Sequence, residues 1–465
     1  MKRLIQTLKN IWSIEDLRKR ILYTIGLVLI YRIGSYVVLP GVDPSQLSVL
    51  RKQGSEGLMG LLNMFSGGAF SNASIFALGI MPYITASIVI QLLVMVVPKF
   101  QKMQREGESG RRKMNQITRW LTVAVTAAQA PAYITNMRMQ LEATPYALHP
   151  FTGAEPSAFF WISSIVILIS GTLFVMWLGE RITDKGVGNG ISLLIMIGII
   201  ARLPFALSAE FASRLSEGGG LVMFLFELVV LLVVILLVIL LVQGTRRIPV
   251  QYAKRIVGNK QYGGVRQYIP IKVNAAGVMP IIFAQAIMFL PITFMGFSNS
   301  ADSKFAMAFA DYNSFWYNLV FFILVVVFTY FYTAIAINPN QMAEDMKKNG
   351  GFIPGVKPGK KTAEYLESIL SKITLPGSIF LAFVAIMPAI IRLFGVNTQF
   401  AQFYGGTSLL ILVGVVLDTL QQVESHLLMR HYDGLTKTGR IRRWLSTCWR
   451  VSRTTPTRMS SEVPP

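Results

Sequence analysis

Residues 219–242 read GGLVMFLFELVVLLVVILLVILLV, an apolar run that contains one charged side chain, Glu227. About 20 apolar residues are enough for an α-helix to cross the hydrocarbon core of a bilayer. The run lacks the apolar–polar alternation of a barrel strand, so it predicts a membrane-spanning helix. Nine other stretches qualify, and the ten predicted spans are roughly 21–39, 75–97, 120–137, 158–178, 190–208, 219–242, 273–294, 315–337, 374–394 and 405–423.

The composition of the whole chain agrees with a membrane protein. Of 465 residues, 53% are hydrophobic and 14% are charged, whereas soluble domains carry about 25% charged residues. This apolar content also excludes a disordered chain. The single cysteine, Cys448, excludes a disulfide framework, and three scattered histidines (His149, His426 and His431) argue against a metal site. We therefore expect an α-helical membrane protein without a metal.

Basic residues are distributed unevenly between the two sides that ten spans define. The N-terminus, the second, fourth, sixth and eighth loops and the C-terminus hold 36 of the 44 Lys and Arg residues, whereas the opposite loops hold 6. Because short loops rich in Lys and Arg stay in the cytoplasm, both termini are predicted to be cytoplasmic. The net charge of +21 therefore belongs mainly to the cytoplasmic loops.

The first outer loop, 40–74, is the long one on its side and contains the apolar stretch LLNMFSGGAF at 61–70. This stretch is too short and too polar to cross a bilayer. It is either a surface loop that rests on the bundle or a re-entrant segment that dips into a central cavity, since non-helical backbone at membrane depth must be buried in protein or line a cavity.

Two cytoplasmic loops are long and basic. In 243–272, alternating apolar residues and a Gly258-Asn259 turn predict a β-hairpin. In 338–373, a short helix is predicted to follow Asn338-Pro339 and to end at Gly350-Gly351. The basic residues are either topology signals alone or a projecting surface for an acidic or large partner.

Enzymatic chemistry is not recognisable in the sequence. Residues 355–362 superficially resemble a phosphate-binding loop, but three residues separate the glycines instead of four and no βαβ strand precedes them. Charges within the spans are few: Arg32 is expected to snorkel to the outer surface, and Glu227 has no obvious partner. This scarcity argues against an ion-coupled transporter. Uncharged polar side chains on the second, third and seventh spans suggest a seam between helices that parts at modest cost.

Six longer motifs stand along the chain: NMFSGGA at 63–69, ASIFALGIMPYI at 73–84, EGESGRRK at 106–113, WLGERIT at 177–183, GNGIS at 188–192 and GGTSLLI at 405–411. They closely resemble the bacterial SecY family, the pore subunits of the protein-conducting channel. They occur in the family's order along residues 1–435, which excludes chance similarity.

The resemblance implies an all-α polytopic protein with two pseudo-symmetric halves of five helices, 1–212 and 213–435, that form a clamshell around an hourglass pore. It implies a plug at about 61–73 and a lateral gate between the second and third spans and the seventh and eighth. The implied pore ring is Ile80, Ile84, Ile195, Ile282 and Ile411. The plug residues are Asn63, Phe65, Ser66, Gly67, Gly68, Phe70 and Ser71, and its glycines predict loose packing. The gate residues are Thr85, Ser87, Gln91, Gln129 and Asn274.

The resemblance also implies partners. The two loops resemble those that bind the SecA motor or the ribosome, through Arg246, Arg247, Lys254, Arg255, Lys357, Lys360 and Lys361. Lys357 stands where the family usually has arginine, and the basic tail 436–465 matches no family pattern. The expected partners also include small membrane subunits like SecE and SecG, preproteins and their signal sequences, and the lipid of a bacterial cytoplasmic membrane. No cofactor is expected. The rival interpretation is a secondary transporter of a small solute, with a scaffold or receptor protein third.

Overall fold

The computed structural model describes residues 14–42, 63–141, 158–216, 220–252, 255–257, 260–262, 266–285, 287–288 and 314–437. Residues 279–285 and 287–288 are helical within it. The other helices are α1 (Glu15–Gly34), α2 (Met81–Val96), α3 (Pro98–Arg105), α4 (Glu108–Leu141), α5 (Ala158–Lys185), α6 (Gly190–Ser216), α7 (Gly220–Gln243), α8 (Phe315–Ala336), α9 (Pro339–Lys348), α10 (Lys360–Leu393), α11 (Thr398–Ala401) and α12 (Gly406–Lys437). The strands are β1 (Thr245–Tyr252), β2 (Arg255–Val257), β3 (Lys260–Tyr262), β4 (Arg266–Lys272) and β5 (Gly351–Phe352).

The helices coincide with the predicted spans. Helical residues occur in all ten predicted ranges within the described part of the chain. Among the described residues, six stretches are long and apolar enough to cross a membrane, in α5, α6, α7, α8, α10 and α12, and α2 with α3 would add a seventh. The prediction of an α-helical polytopic membrane protein is confirmed, whereas the number ten stays a prediction.

The second span is shorter than its predicted range, 75–97. Residues 75–80 form turns, and Gly79 has a φ of +53° that a continuing α-helix does not permit. The helix begins at Met81, with Pro82 in its first turn where the missing N–H costs nothing. It ends before Val97, whose extended backbone is the conformation that a following proline favours.

Buried apolar side chains form a central cluster that joins α1, α5, α6 and α12 around residues 63–80. α7 contributes Leu231 to this cluster and exposes apolar side chains such as Leu225 and Leu232 on its other side. The members of the central cluster are Leu27, Tyr31, Met64, Phe65, Ala69, Phe76, Ile80, Val175, Leu178, Ile182, Leu193, Leu194, Ile195, Ile199, Ala206, Leu231, Ile391, Val396, Phe400, Ala401, Phe403, Tyr404, Ile411 and Val415.

The two long basic loops fold together into one unit, which we call the loop module: β1, β4, β5, α9 and the first turns of α10. Its sheet has the order β4-β1-β5 with antiparallel pairs, and β2 pairs with β3 as the outer part of the predicted hairpin. The turn residues 258–259 lie outside the described residues. The predicted short helix is also confirmed as α9, whose first turn is capped by the Asn338 side chain. Ile248 and Val250 of β1 pack against Leu366 of α10, so the two loops share a core.

Candidate functional site at the centre of the bundle

Residues 63–80 are inserted among the helices rather than lying on their surface. Asn63 and Ala69 are 0% exposed, and Met64, Phe65 and Phe70 are each below 9%. Residues 61–62, at the start of the predicted plug, lie outside the described residues. Such burial is expected of a re-entrant segment and not of a loop that rests on the surface of the bundle. We call residues 63–72 the plug segment.

The plug segment is held in a compact fold by its own polar groups. The Asn63 side-chain oxygen accepts hydrogen bonds from the Ser71 amide at 3.1 Å and the Ser71 hydroxyl at 2.9 Å. The Ser66 hydroxyl accepts from the Phe70 amide at 3.1 Å. Gly67 and Gly68 have φ of +65° and +92°, which reverse the chain between these bonds. Buried polar groups are thus satisfied inside the turn, as low polarity around them requires.

Three hydroxyl groups of the surrounding helices bond to the plug segment. The Tyr133 hydroxyl donates to the Phe70 carbonyl at 2.9 Å, and the Tyr31 hydroxyl donates to the Ser66 carbonyl at 3.4 Å. The Ser408 hydroxyl lies 3.0 Å from the Met64 sulfur. The expectation of loose packing is therefore wrong at Gly67, where a Cβ would lie 2.8 Å from the Gly198 Cα, whereas a Cβ at Gly68 would meet nothing within 4 Å.

Arg32 does not simply snorkel to the surface as predicted. Its Nη1 donates to the Gly67 carbonyl at 3.0 Å, and its guanidinium carbon lies 5.6 Å from the centre of the Tyr36 ring. A buried carbonyl is a partner that sequence spacing does not reveal, so the snorkelling prediction missed it.

The plug segment approaches α6 at two glycines. A Cβ on Gly67 would lie 2.8 Å from the Gly198 Cα, and a Cβ on Gly198 would lie 3.2 Å from the Gly67 amide nitrogen. Ile195 and Ile199 flank Gly198 on the same helix and belong to the central cluster. Two backbones therefore touch where any larger side chain would separate them.

The structure brings four of the five predicted ring isoleucines to one place. Ile80, Ile195 and Ile411 are buried members of the central cluster, and Ile84 packs against it. Ile282 packs instead on a second cluster, together with Ile84. Ile84 therefore joins the two groups.

This second cluster, which we call the gate cluster, consists of Ile88, Ala276, Phe283 and Tyr332. It joins α2 to the helical residues 279–285 and to α8. The Phe283 ring centre lies 5.0 Å from that of Tyr332. The contact between the second, seventh and eighth spans is therefore apolar and aromatic.

The predicted polar gate residues do not form a continuous seam among the described residues. Gln91 and Gln129 are exposed, whereas Thr85 and Ser87 are partly buried. The Thr85 hydroxyl donates to the Met81 carbonyl of its own helix at 3.1 Å. Asn274 has a buried side-chain oxygen with no hydrogen-bond partner in the described part of the chain. The seam is corrected to an apolar contact with isolated polar groups.

A buried charge cluster, which sequence reasoning missed, joins α6, α7 and the 395–397 turn. Arg214 Nε donates to Glu210 Oε1 at 2.9 Å, and Arg214 Nη2 lies 2.6 Å from Glu227 Oε1. Arg214 Nη2 also donates to the Gly395 carbonyl at 2.9 Å, and Glu210 Oε2 accepts from the Asn397 amide at 2.8 Å. Glu227 therefore has a partner, contrary to the prediction. The spacing of Glu210 and Arg214, four residues apart on one helix, was the available signal.

The basic residues predicted to bind a partner lie on the surface of the loop module. Arg246, Arg247, Lys357, Lys360 and Lys361 are exposed. Lys254 lies outside the described residues, and for Arg255 only the backbone is described. Tyr268 of β4, opposite Pro249 of β1, is 57% exposed. The module thus exposes five basic side chains and one aromatic side chain to its surroundings.

Comparisons with known proteins agree with this architecture. The SecY family model matches residues 74–420. The protein translocase subunit SecY of Streptomyces coelicolor is 42% identical over 433 residues, which cover 91% of this chain and 97% of that relative. A SecY structure, described as having a plug domain that stabilises the closed state of the translocation channel, gives a TM-score of 0.59 at 18% identity, covering 88% of this chain and 92% of the other. Canine Sec61 in a ribosome–channel complex gives 0.54 at 16% identity, with the same coverage.

The fold and the inserted segment define a polytopic α-helical membrane protein of the translocation-channel class. The chain belongs to the SecY family. It is a protein translocase subunit that acts as a protein-conducting channel, which confirms the sequence prediction and excludes the solute-transporter alternative.

Proposed function

We propose that this translocase subunit conducts unfolded polypeptides between two halves, 1–212 and 213–435, with the central cluster as its closed waist. The observation that carries the proposal is the burial of the plug segment in the cluster that holds Ile80, Ile195 and Ile411. In this arrangement the waist and its seal are one packed unit. Opening the channel then requires the plug segment to leave.

An apolar waist suits a channel for chains of any sequence. A narrow apolar constriction resists wetting and therefore resists ions. It also has no polar group that would bind a particular passing side chain. Ile84 and Ile282 extend the waist toward the gate cluster, so both clusters respond to the same separation of helices.

The gate cluster provides the lateral exit. Its contacts between α2, α8 and 279–285 are apolar, so a hydrophobic segment of the passing chain replaces them without loss of apolar burial. A polar segment cannot replace these contacts without losing its hydration, and it therefore continues through the pore. Thr85, Ser87, Gln91, Gln129 and Asn274 line this exit in the proposal, as isolated polar groups.

The loop module is proposed to receive the partner that supplies energy, either the SecA motor or a ribosome. Its exposed Arg246, Arg247, Lys357, Lys360 and Lys361 fit an acidic protein surface or RNA phosphate. Lysine at 357 supplies charge without the bidentate fork of arginine. Both termini and this module lie in the cytoplasm, the bilayer is the bacterial cytoplasmic membrane, and SecE-like and SecG-like subunits complete the complex.

The test is to tether the plug segment in place. In a Cys448→Ser background, Met64→Cys and Ser408→Cys replace two side chains whose sulfur and hydroxyl lie 3.0 Å apart. A short reducible thiol cross-linker then joins the plug segment to α12 in proteoliposomes supplied with SecA, ATP and a preprotein.

Cross-linking is expected to stop preprotein transport, and reduction is expected to restore it. Each single cysteine variant, treated with the same reagent, controls for chemical modification alone. Unchanged transport through the cross-linked pair would show that the plug segment does not have to move.

A further inference from the structure

Arg32 is a partly buried charged residue whose partners belong to the plug segment and to the turn that follows its own helix. Its Nη1 donates to the Gly67 carbonyl at 3.0 Å, and its Nη2 lies 3.4 Å from the Tyr36 hydroxyl. No carboxylate of the described residues lies within salt-bridge distance of Arg32. A guanidinium in the membrane is costly unless it is hydrogen-bonded, so the Gly67 carbonyl satisfies a charge that has few alternatives.

The shape of the turn presents this carbonyl to Arg32. Gly67 has a φ of +65°, and a Cβ at this position would lie 2.8 Å from Arg32 Nη1. The same Cβ would lie 2.8 Å from the Cα of Gly198. The space that a side chain at position 67 would need is therefore taken by a charged donor of α1 and by the backbone of α6.

We propose that Arg32 is a positioning residue that latches the plug segment in the closed channel through the Gly67 carbonyl. The proposal rests on the proposed role of residues 63–72 as the seal. A hydrogen bond from a charged donor is stronger than one from a neutral donor, and it weakens steeply with distance. Departure of the plug segment therefore requires this bond to break.

The latch makes the charge of Arg32 a determinant of gating rather than of folding. While the channel is open, the guanidinium faces water in the vacated space, where solvation replaces the lost carbonyl. The closed state therefore loses more than the open state when Arg32 is replaced by an uncharged residue of similar length.

The experiment measures substrate-free ion efflux from proteoliposomes that contain the full chain with its small subunits. Arg32→Met is expected to raise efflux about tenfold, the equivalent of one charge-assisted hydrogen bond. Arg32→Lys keeps a charged donor, and its efflux is expected to lie close to that of the unaltered chain. The matched control is Ile33→Met, at a neighbouring position that is 59% exposed, and its efflux is expected to equal that of the unaltered chain.

A deletion of residues 65–70 separates the latch from the seal itself. If this deletion leaks and Arg32→Met adds nothing to it, both the seal and the latch are supported. If Arg32→Met raises efflux equally in the deleted background, or if Arg32→Met alone is as tight as Ile33→Met, the latch is overturned while the seal stands. A deletion that does not leak would instead overturn the seal.

Hydrogen exchange gives a second readout that a merely structural role would not produce. Faster exchange is expected in Arg32→Met for peptides covering 63–73 and unchanged exchange for peptides covering 190–199. Faster exchange in both regions would indicate general destabilisation and contradict the latch. If Arg32→Met does not fold, the same measurements are made on Arg32→Gln, which has an uncharged N–H donor.

Discussion

The contact between Gly67 and Gly198 allows the closed state to be weakened by a single methyl group. In Gly198→Ala, the new Cβ would lie 3.2 Å from the Gly67 amide nitrogen, 3.2 Å from the Phe65 carbonyl oxygen and 3.3 Å from the Gly67 Cα. Ordinary contacts of this kind are several tenths of an ångström longer. All three neighbours are backbone atoms of the plug segment, so the whole segment has to shift.

The magnitude follows from the cost of overpacking. Inserting a methyl group into a packed site costs about 1–3 kcal/mol. The gain in helix propensity from glycine to alanine, about 1 kcal/mol, applies to α6 in the closed and open states alike and cancels. Because the Cβ would lie only a few tenths of an ångström too close to its neighbours, the lower part of this range applies, and about 1–2 kcal/mol against the closed state raises the ratio of open to closed channels by about 5- to 30-fold.

The assay is ion efflux from proteoliposomes without a translocating chain, at equal amounts of reconstituted protein. Gly26→Ala is the matched control, because a Cβ at Gly26 of α1 meets nothing within 4 Å. Gly198→Ala is expected to leak 5- to 30-fold more than Gly26→Ala, with a similar thermal unfolding temperature. Equal efflux from the two variants would refute the reasoning that the plug segment seals the channel against α6.

Three other substitutions test separate parts of the structure. Arg214→Met leaves two buried carboxylates unpaired and is expected to destabilise the protein by about 3–5 kcal/mol, whereas Glu227→Gln leaves the Arg214–Glu210 pair intact and costs less. Thermal unfolding in detergent measures the stability of both variants, and equal losses of stability would contradict the charge cluster. Tyr332→Phe removes a buried hydroxyl without a partner in the described residues, so it is expected to stabilise the closed gate by about 1 kcal/mol. Membrane insertion of marginally hydrophobic segments is then expected to slow, and faster insertion would contradict the stabilisation of the closed gate. Leu366→Ala, at a fully buried position of the loop module, is expected to cost about 2–5 kcal/mol locally; limited proteolysis should then cut the module while the bundle stays intact, and an uncut module would show that its core does not depend on Leu366.

The helices were predictable because their signal is local. Twenty apolar residues in a row specify a span without reference to any other part of the chain, and the turn chemistry at Asn338-Pro339 placed α9 correctly. The plug segment was recognisable as too short to span, but its tight packing was not. The Gly67–Gly198 contact joins backbones that no hydropathy pattern connects.

The polar partners were the least predictable part. Glu210 and the Asn397 amide are 187 residues apart, and the Gly395 carbonyl is 181 residues from Arg214. Such bonds depend on how helices pack, so Glu227 was expected to lack a partner. The same reason hides the carbonyl that Arg32 binds. The shared core of the two basic loops was likewise not predictable, since each loop contributes only some of its apolar residues.

The most direct test of the central claim is whether a moving polypeptide passes the central cluster. A photo-crosslinking amino acid at Ile84, with a preprotein arrested during SecA-driven transport, reports contact at the waist. Leu232 of α7, which is 58% exposed on the outer face of the bundle, is the control position. Crosslinks to the arrested chain are expected from position 84 and none from position 232. Transport that proceeds without crosslinks at position 84 would contradict the placement of the waist, and crosslinks at both positions alike would contradict a path through the centre of the bundle.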